Sequence, residues 1–386
     1  MPYRLAASMT EGHWRILHLQ TDDGISGGVA NYISNLVNSK PLSGQSNFVV
    51  VPGMRSHRST AHEMYPSATS VCLPRSFGLS SFVDYYQQLR HLVDSLDVDL
   101  IHAHALRCAL PAAMVSKQSN VPLIYTNHGL RYSQKAGRLT RRTFLAAERF
   151  VTRRASAVVA IRPYDLERMK SDDAAPSDKS HLVETRLNQS PATHRCAPGH
   201  RPTLLGVGSL IPVKRPMLFL EWVAALRSQG LEFDAVWAGE GPLQAEMTRA
   251  AAAMHVPVTF VGHLSRASLD QLYRTADVLL LSSEFETFSM AVLEAMAHGV
   301  PTVTTNFPGV GDLVSDGVTG IVVDRPDADC VADAIATLLS NRKTWKLLSE
   351  NCVALYRERH YNIDVMASSY AAIYDSITSG EDSIRD

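Results

Sequence analysis

Two glutamates eight positions apart, Glu286 and Glu294, stand in the run SSEFETFSMAVLEAMAHGVPTVTT. Carboxylates accept hydrogen bonds from hydroxyl groups. The run DVLLLSS before them reads as a strand that stops at a short polar loop. A helix is then expected from near Phe288 to Gly299, closed by that glycine and by Pro301. Glu286 falls in the loop, and Glu294 falls about two turns into the helix at roughly 1.5 Å of rise per residue. Thr287, Phe288, Ser289 and Met290 are expected to form the first turn. Its free N–H groups and the helix dipole favour an anion. One ligand passing over that helix start meets both carboxylates.

Other residues could serve the same or a neighbouring ligand. Gly27 and Gly28 follow a strand and the loop DDGIS and precede a helix, where glycine lets the backbone approach a phosphate. Asp22 and Asp23 are placed to contact hydroxyls or to cap that loop. His128 ends the strand PLIYTN. His102 and His104 form an H-x-H whose side chains share one face of a strand. No third ligand is spaced for a metal there, so none is expected. The segment from Arg131 to Arg154 carries eight basic residues against Glu148 alone. Such a stretch suits anionic headgroups or a phosphorylated ligand, or is a solvated face.

The elements that must hold these residues alternate along the chain. RILHLQ, NFVVVPG, DLIHAH, PLIYTNHG and SAVVAI read as strands in the first half. TLLGVGSL, FDAVWAGEG, VTFVG, DVLLLSS and PTVTT do so in the second. Amphipathic stretches such as VANYISNLVNS and LFLEWVAALRSQG lie between them. Continuous apolar strands alternating with helices imply parallel sheets covered on both faces. The pattern occurs twice. The expected architecture is α/β, with two Rossmann-like domains facing an interdomain cleft and ligands beyond the carboxyl ends of the strands. Residues 1–190 form the first domain, 191–202 a linker rich in turn formers, and 203–360 the second domain. Residues 361–386 are expected to pack back on the first as a helical segment.

With 386 residues, there is length for two cores. A hydrophobic content of 45%, a charged content of 19% and a net charge of -1 fit a globular protein and give no global signal for nucleic acid. The five cysteines form no C-x-x-C pair, which favours a reducing compartment. The first residues lack the apolar core of a signal peptide, and no run reaches a membrane span. A cytoplasmic protein is expected, at the inner face of a membrane if the basic segment meets lipid.

The E-x7-E run, its continuation AMAHGVP, and VGSLIPVKRP, AGEGPL, VTFVGHL and SGGVANYISNL come in an order that resembles the retaining GT-B glycosyltransferases of family 4. The likeness covers nearly the whole chain. It implies transfer of a sugar from a nucleotide-diphosphate sugar, without a metal or other cofactor, to a glycan or lipid-linked acceptor. A UDP-sugar is preferred to GDP-mannose, and bacterial surface polysaccharide or lipopolysaccharide synthesis is the implied setting. Glu286 would hold hydroxyls of the donor sugar and Glu294 the ribose. Lys214 would bind the diphosphate and neutralise the leaving group. Gly27 and Gly28, the helix start from Thr287 to Met290, and the loop Gly262, His263 and Leu264 would complete the donor site. His128 would face the reacting centre. Asp22, Asp23, His104 and Arg131 would lie on the acceptor side.

The chain departs from the family at Ser209, where many relatives have a phosphate-binding arginine that the neighbouring Arg215 replaces only in part. Arg162 stands where relatives often have serine, and Thr185 and Arg186 where an Asn-Gly pair is common. Two rival readings stand beside this one, the second of them suggested by these departures. One is an epimerase or hydrolase of the same fold, and the other a binding protein that has lost catalysis.

Overall fold

The computed structural model describes residues 13–20, 28–52, 63–73, 79–130, 132, 137–193, 199, 201–325 and 327–378. The chain divides into two compact units: Met1–Thr185 with Asn362–Asp386, and Arg186–Tyr361. The stretch expected as a linker is therefore counted within the second unit.

The first unit is built on β1 (Arg15–Leu19), β2 (Ser46–Pro52), β3 (Ala68–Leu73), β4 (Leu100–His104), β5 (Leu123–Asn127), β6 (Ala157–Ala160) and β7 (Ser180–Leu182). All pairings are parallel, in the order β3-β2-β1-β4-β5-β6-β7. The intervening helices are α1 (Gly28–Val37), α2 (Leu79–Leu96), α3 (Leu106–Ser119), α4 (Arg138–Arg154) and α5 (Pro163–Ser171). Strands β4, β5 and β6 are buried at every position, so their apolar residues do not alternate with exposed ones, and the polar His102, His104, Thr126 and Asn127 lie inside as well.

The second unit has β8 (Thr203–Val207), β9 (Asp234–Ala238), β10 (Val258–Gly262), β11 (Val278–Leu281), β12 (Thr302–Thr305) and β13 (Gly320–Val323). These are again all parallel, ordered β10-β9-β8-β11-β12-β13. Helices α6 (Pro216–Ser228), α7 (Gln244–Ala253), α8 (Arg266–Thr275), α9 (Met290–Ala297), α10 (Ala328–Ser340) and α11 (Arg342–Leu355) cover it. Successive strand residues divide between two cores. Leu204, Val278 and Leu280 pack with Trp222 and Ile335 on one face. Leu205, Leu279 and Leu281 pack with Leu293 and Cys352 on the other. Period-two alternation thus feeds both faces with apolar side chains.

The last helix, α12 (Ile363–Thr378), belongs to the first unit. It lays Tyr370 and Tyr374, one turn apart, over the β1–β4–β5 face. Tyr374 OH lies 2.7 Å from His102 Nδ1, and Tyr370 OH lies 2.9 Å from Thr126 Oγ1.

In both sheets the strand order reverses at one place, between β1 and β4 and between β8 and β11. Connections leave such a point in opposite directions, so the carboxyl ends of the two strands open a crevice.

The helix after β11 starts later than expected. It runs Met290–Ala297, with Ser289 as its N-cap at φ -81 and ψ 102. That extended backbone keeps Thr287, Phe288 and Ser289 out of the first turn. Glu294 is then one turn into the helix rather than two. At the far end, Gly299 adopts φ +66, and Val300 N donates to Ala295 O at 2.8 Å. The expected glycine stop is the left-handed C′ position.

Candidate functional site

At the switch point of the second unit, Lys214 Nζ donates to both oxygens of Glu286, at 2.7 and 2.9 Å. Ser283 Oγ donates to Glu286 Oε1 at 2.6 Å. Two further bonds tie the loops together: Glu284 N to Val213 O at 2.9 Å and Ser282 Oγ to Lys214 O at 2.8 Å. Because β8 and β11 are neighbours, residues 72 apart become an ion pair. Glu286 is 5% exposed, and the Lys214 side chain keeps 23% of its surface. The carboxylate is thus held in place, while the ammonium still faces solvent. A partly buried pair of this kind can exchange partners with an incoming ligand that offers hydroxyls to one member and anionic oxygens to the other.

The backbone beside the pair is a smooth ledge. Gly208, Gly239 and Gly262 end β8, β9 and β10 with φ of +148, +131 and +67. A Cβ on Gly239 would stand 2.1 Å from Gly208 O, so only glycine permits that approach. The aliphatic stem of Lys214 lies over Gly208, with Cε 3.4 Å from where a Cβ would be. Ser289 makes no side-chain cap, and α9 has no acidic residue in its first turn. Its first N–H groups therefore suit an anion supplied from outside.

Glu294 is not a free carboxylate. It is 7% exposed, and Arg266 Nη1 lies 3.1 Å from its Oε1. Burial pushes its pKa up, against the pull of Arg266 and of a hydrogen bond from Tyr273. Arg266 Nη2 also donates to Gln189 Oε1 at 3.2 Å. Behind it, His298 joins Glu294 O at 2.7 Å and Asp270 Oδ1 at 2.8 Å. This network sets the orientation of Glu294 in advance.

The remaining sequence candidates scatter. Ser209 is exposed. Arg215, at φ 46, lines a recess of about 270 Å³ with Glu221 and Glu246 and makes no recorded bond with the Lys214–Glu286 pair. Gly262, His263 and Leu264 lie at the end of β10, two strands from β8, with His263 exposed. Phe288 packs edge-on against His360 at 6.0 Å between ring centroids. Gly28 opens α1 and is exposed. Asp22, Asp23, Gly27 and Arg131 lie outside the described residues.

In the first unit, His104 and His128 come together, with Nδ1 of one 3.1 Å from Nε2 of the other. A histidine that the spacing did not single out joins them. His18 on β1 pairs in register with His102 on β4, and its Nδ1 lies 3.3 Å from His104 Nε2. Nitrogens of His18, His102 and His104 all fall within 4.8 Å of one another. The third ligand that H-x-H lacked in sequence thus exists in space, contributed by a different strand. Each of the three rings already has a polar partner. Asn47 Oδ1 is 3.2 Å from His18 Nε2, and His102 contacts Tyr374 OH and Thr126 Oγ1 at 2.7 Å each. Burial lowers all of these histidines: His18 to about 4, His128 to about 3, and His102 and His104 well below the usual range. The cluster is neutral at physiological pH.

The turn that carries His128 is pinned from below. Asn127 Nδ2 donates to Glu148 Oε1 at 2.6 Å, Tyr125 OH donates to the same oxygen at 2.8 Å, and Gly129 N donates to Asn127 Oδ1 at 2.6 Å. Burial pushes the Glu148 carboxyl up to about 7, against those two hydrogen bonds.

The basic segment is partly spent on folding. Arg149 donates to the carbonyls of Asp172 and Asp173 at 2.8 and 2.9 Å. Arg141 and Arg153 lie 3.7 and 4.0 Å from Asp172 and Asp173. Arg138 and Arg142 are exposed on α4, beside Leu139 at 79%. Arg162 is fully buried in a two-point pair with Asp165, at 2.7 and 3.0 Å, so it builds the fold where relatives often have serine.

Residues 26–186 match the model of Glycosyltransferase Family 4, and residues 196–352 that of Glycosyl transferases group 1. Among similar sequences, alpha-D-kanosaminyltransferase from Streptomyces kanamyceticus is 26% identical over 298 residues, covering 72% of this chain and 77% of that protein. D-inositol 3-phosphate glycosyltransferase from Corynebacterium efficiens is 24% identical over 311 residues, covering 74% and 73%. Among solved structures, Anabaena HepE in complex with UDP-glucose has a TM-score of 0.79 at 18% identity, covering 94% of this chain and 100% of that one. Sucrose-phosphate synthase from Thermosynechococcus elongatus has a TM-score of 0.78 at 19% identity, covering 95% and 99%. Among the described residues, no helix is long and apolar enough to cross a membrane.

Proposed function

Because this chain belongs to the GT-B glycosyltransferases of the family 4 type, we propose that it transfers a hexose from a UDP-sugar with retention at the anomeric carbon. The observation that carries this reading is the Lys214–Glu286 pair at the β8–β11 switch point, beside the uncapped start of α9. Glu286 turns from Lys214 to accept hydroxyls of the donor sugar. Lys214 and the first N–H groups of α9 meet the diphosphate. Glu294, already oriented by Arg266, accepts from the ribose. The preference for UDP draws on the neighbours that hold UDP and UDP-glucose.

In the reaction, the bond from the anomeric carbon to the phosphate oxygen breaks, and a bond to the acceptor oxygen forms on the same face. The acceptor proton passes to a phosphate oxygen, and UDP leaves. The chain supplies positioning, together with positive charge where negative charge develops. His128, in the first unit, contacts a sugar hydroxyl. The acceptor is a glycan or a lipid-linked sugar, with exposed Arg138, Leu139 and Arg142 of α4 meeting anionic headgroups.

Calorimetry with UDP and GDP, followed by UDP release from a donor and acceptor panel, tests the reading. UDP is expected to bind more tightly than GDP. Glu286→Ala should lower turnover by about a hundredfold or more with the fold intact. Near-normal turnover in that variant sinks the assignment, and failure to bind either nucleotide favours a chain that has lost catalysis.

A further inference from the structure

The bonds around the histidine cluster have a direction, and it starts at Asn47. The Asn47 amide nitrogen donates to Leu42 O at 3.1 Å and to Gln45 O at 3.4 Å. Two carbonyls on one side settle which end of the amide is which, so Oδ1 faces His18. An amide oxygen only accepts, and His18 Nε2 must therefore carry the proton of the 3.2 Å contact. A neutral imidazole has one N–H, so His18 Nδ1 is a lone pair. His104 Nε2 must then donate across the 3.3 Å contact, which leaves His104 Nδ1 as an acceptor. His128 Nε2 in turn donates to it across 3.1 Å. One hydrogen bond thus dictates the next across three rings, and the last ring ends with its proton on Nε2 and a lone pair on Nδ1.

We propose that Asn47, His18 and His104 form a tautomer-setting relay that fixes His128 as a neutral imidazole whose Nδ1 accepts a hydrogen bond from a carbohydrate hydroxyl. The three upstream residues touch no substrate and are positioning residues. The relay rests on the reading of His128 as a sugar-facing residue. A lone pair at Nδ1 repels an oxyanion, so His128 accepts from a hydroxyl and does not stabilise negative charge. The neutrality that the relay needs is supported by burial, since His18 and His104 have no exposed surface. His18 and His128 are held neutral down to about 4 and about 3. Hydroxyls take no part in this row. His102, which sits beside it with ring centroids 3.9 Å from His104, bonds instead to Thr126 and Tyr374. The relay therefore runs along one edge of the cluster, from β2 through β1 and β4 to the turn after β5.

Nuclear magnetic resonance of the full chain, isotope-labelled at the histidine ring nitrogens and assigned through single-histidine variants, reads the tautomers directly. His18, His104 and His128 are each expected to be protonated at Nε2 alone at neutral pH. Protonation of His128 at Nδ1 overturns the relay. So does stoichiometric zinc in the purified protein with no proton on His104 Nε2, which makes the cluster a metal centre. In Asn47→Leu the anchor is gone, and His128 should become a mixture of both tautomers. Retention of the single Nε2–H form in that variant also overturns the relay. The same variant should lose about fivefold in kcat/KM, the worth of one neutral hydrogen bond, with affinity for sugar-free UDP unchanged. A rise in KM for the donor or for the acceptor identifies which one supplies the hydroxyl. A mixed tautomer with unchanged transfer upholds the relay and removes His128 from the reaction.

Discussion

The two units share one construction and fill it with opposite chemistry. Each is a parallel sheet whose strand order reverses once, and each gathers its polar residues at that reversal. In the second unit the residues are ionic: Lys214 against Glu286, and Arg266 against Glu294. In the first they are neutral: histidines, tyrosines and a threonine joined ring to hydroxyl. The difference follows from burial. Glu286 and Glu294 each face a cation whose side chain reaches solvent, and burial pushes Glu294 up against the pull of Arg266. His18, His102 and His104 have no exposed surface and no carboxylate partner, so they remain uncharged. A charged site suits a diphosphate sugar donor, and a neutral one suits the hydroxyl-rich face of a carbohydrate.

The sharpest attack on this contrast is Lys214→Ala. Glu286 would be left buried without its cation, and the diphosphate would lose its charge partner. Transfer should fall by about a hundredfold or more in kcat/KM. A change confined to KM would mean that Lys214 only binds and does not assist departure of UDP.

A smaller effect is expected at Glu148, the buried carboxylate beneath the turn that carries His128. Glu148 has its folded pKa raised to about 7 from 4.5. The protonated form is favoured in the fold, so its contribution is present below about pH 4.5 and is lost as pH rises through about 7. Glu148→Gln keeps an acceptor for Tyr125 and Asn127 and removes that loss. The variant should unfold like the parent near pH 5 and be more stable near pH 8, by up to roughly 3 kcal/mol. Equal urea stability at both pH values would show that Glu148 keeps its charge, and would blur the contrast between the units.

The smallest expected effect is in the hydroxyl chain. Thr126→Val is nearly isosteric but removes partners of His102 Nε2 and Tyr370 OH. It should cost about 2 kcal/mol by chemical denaturation, with no dependence on pH between 6 and 8. A pH-dependent loss would place a charge in the cluster.

Much of the fold was legible in the sequence. The ten strands read from apolar runs are all present, because the central strands bury both faces and even their polar residues, such as His102 and Thr126, lie inside. The three strands not read are short or at an edge. Ala68–Leu73 is ATSVCL, half-exposed and mixed in polarity, and Ser180–Leu182 is SHL with two exposed residues. Gly320–Val323 opens on a glycine that is packed against Thr302 O and follows a run of turn formers. The late start of α9 was hidden because SSEFETF contains several residues able to cap, and backbone geometry alone selects Ser289.

The site was less legible. Residue type and spacing brought Glu286, Glu294 and His128 to notice, and resemblance to the family added Lys214. Neither brought Ser283, Arg266, Asn47 or His18, which hold those residues in place. His18 is a single histidine in an apolar strand, and Asn47 opens another. Their meaning depends on which strands are neighbours.

From its order of residues alone, then, this chain determined that two parallel sheets form, and which side chains are able to carry charge. Alternation of apolar runs with amphipathic stretches suffices for that, since each element must bury its own face. Tertiary structure decided which charges meet and which rings line up. Lys214 and Glu286 are 72 residues apart, and His18 and His104 are 86 apart. Only the order β8 beside β11, and β1 beside β4, closes those distances to a hydrogen bond.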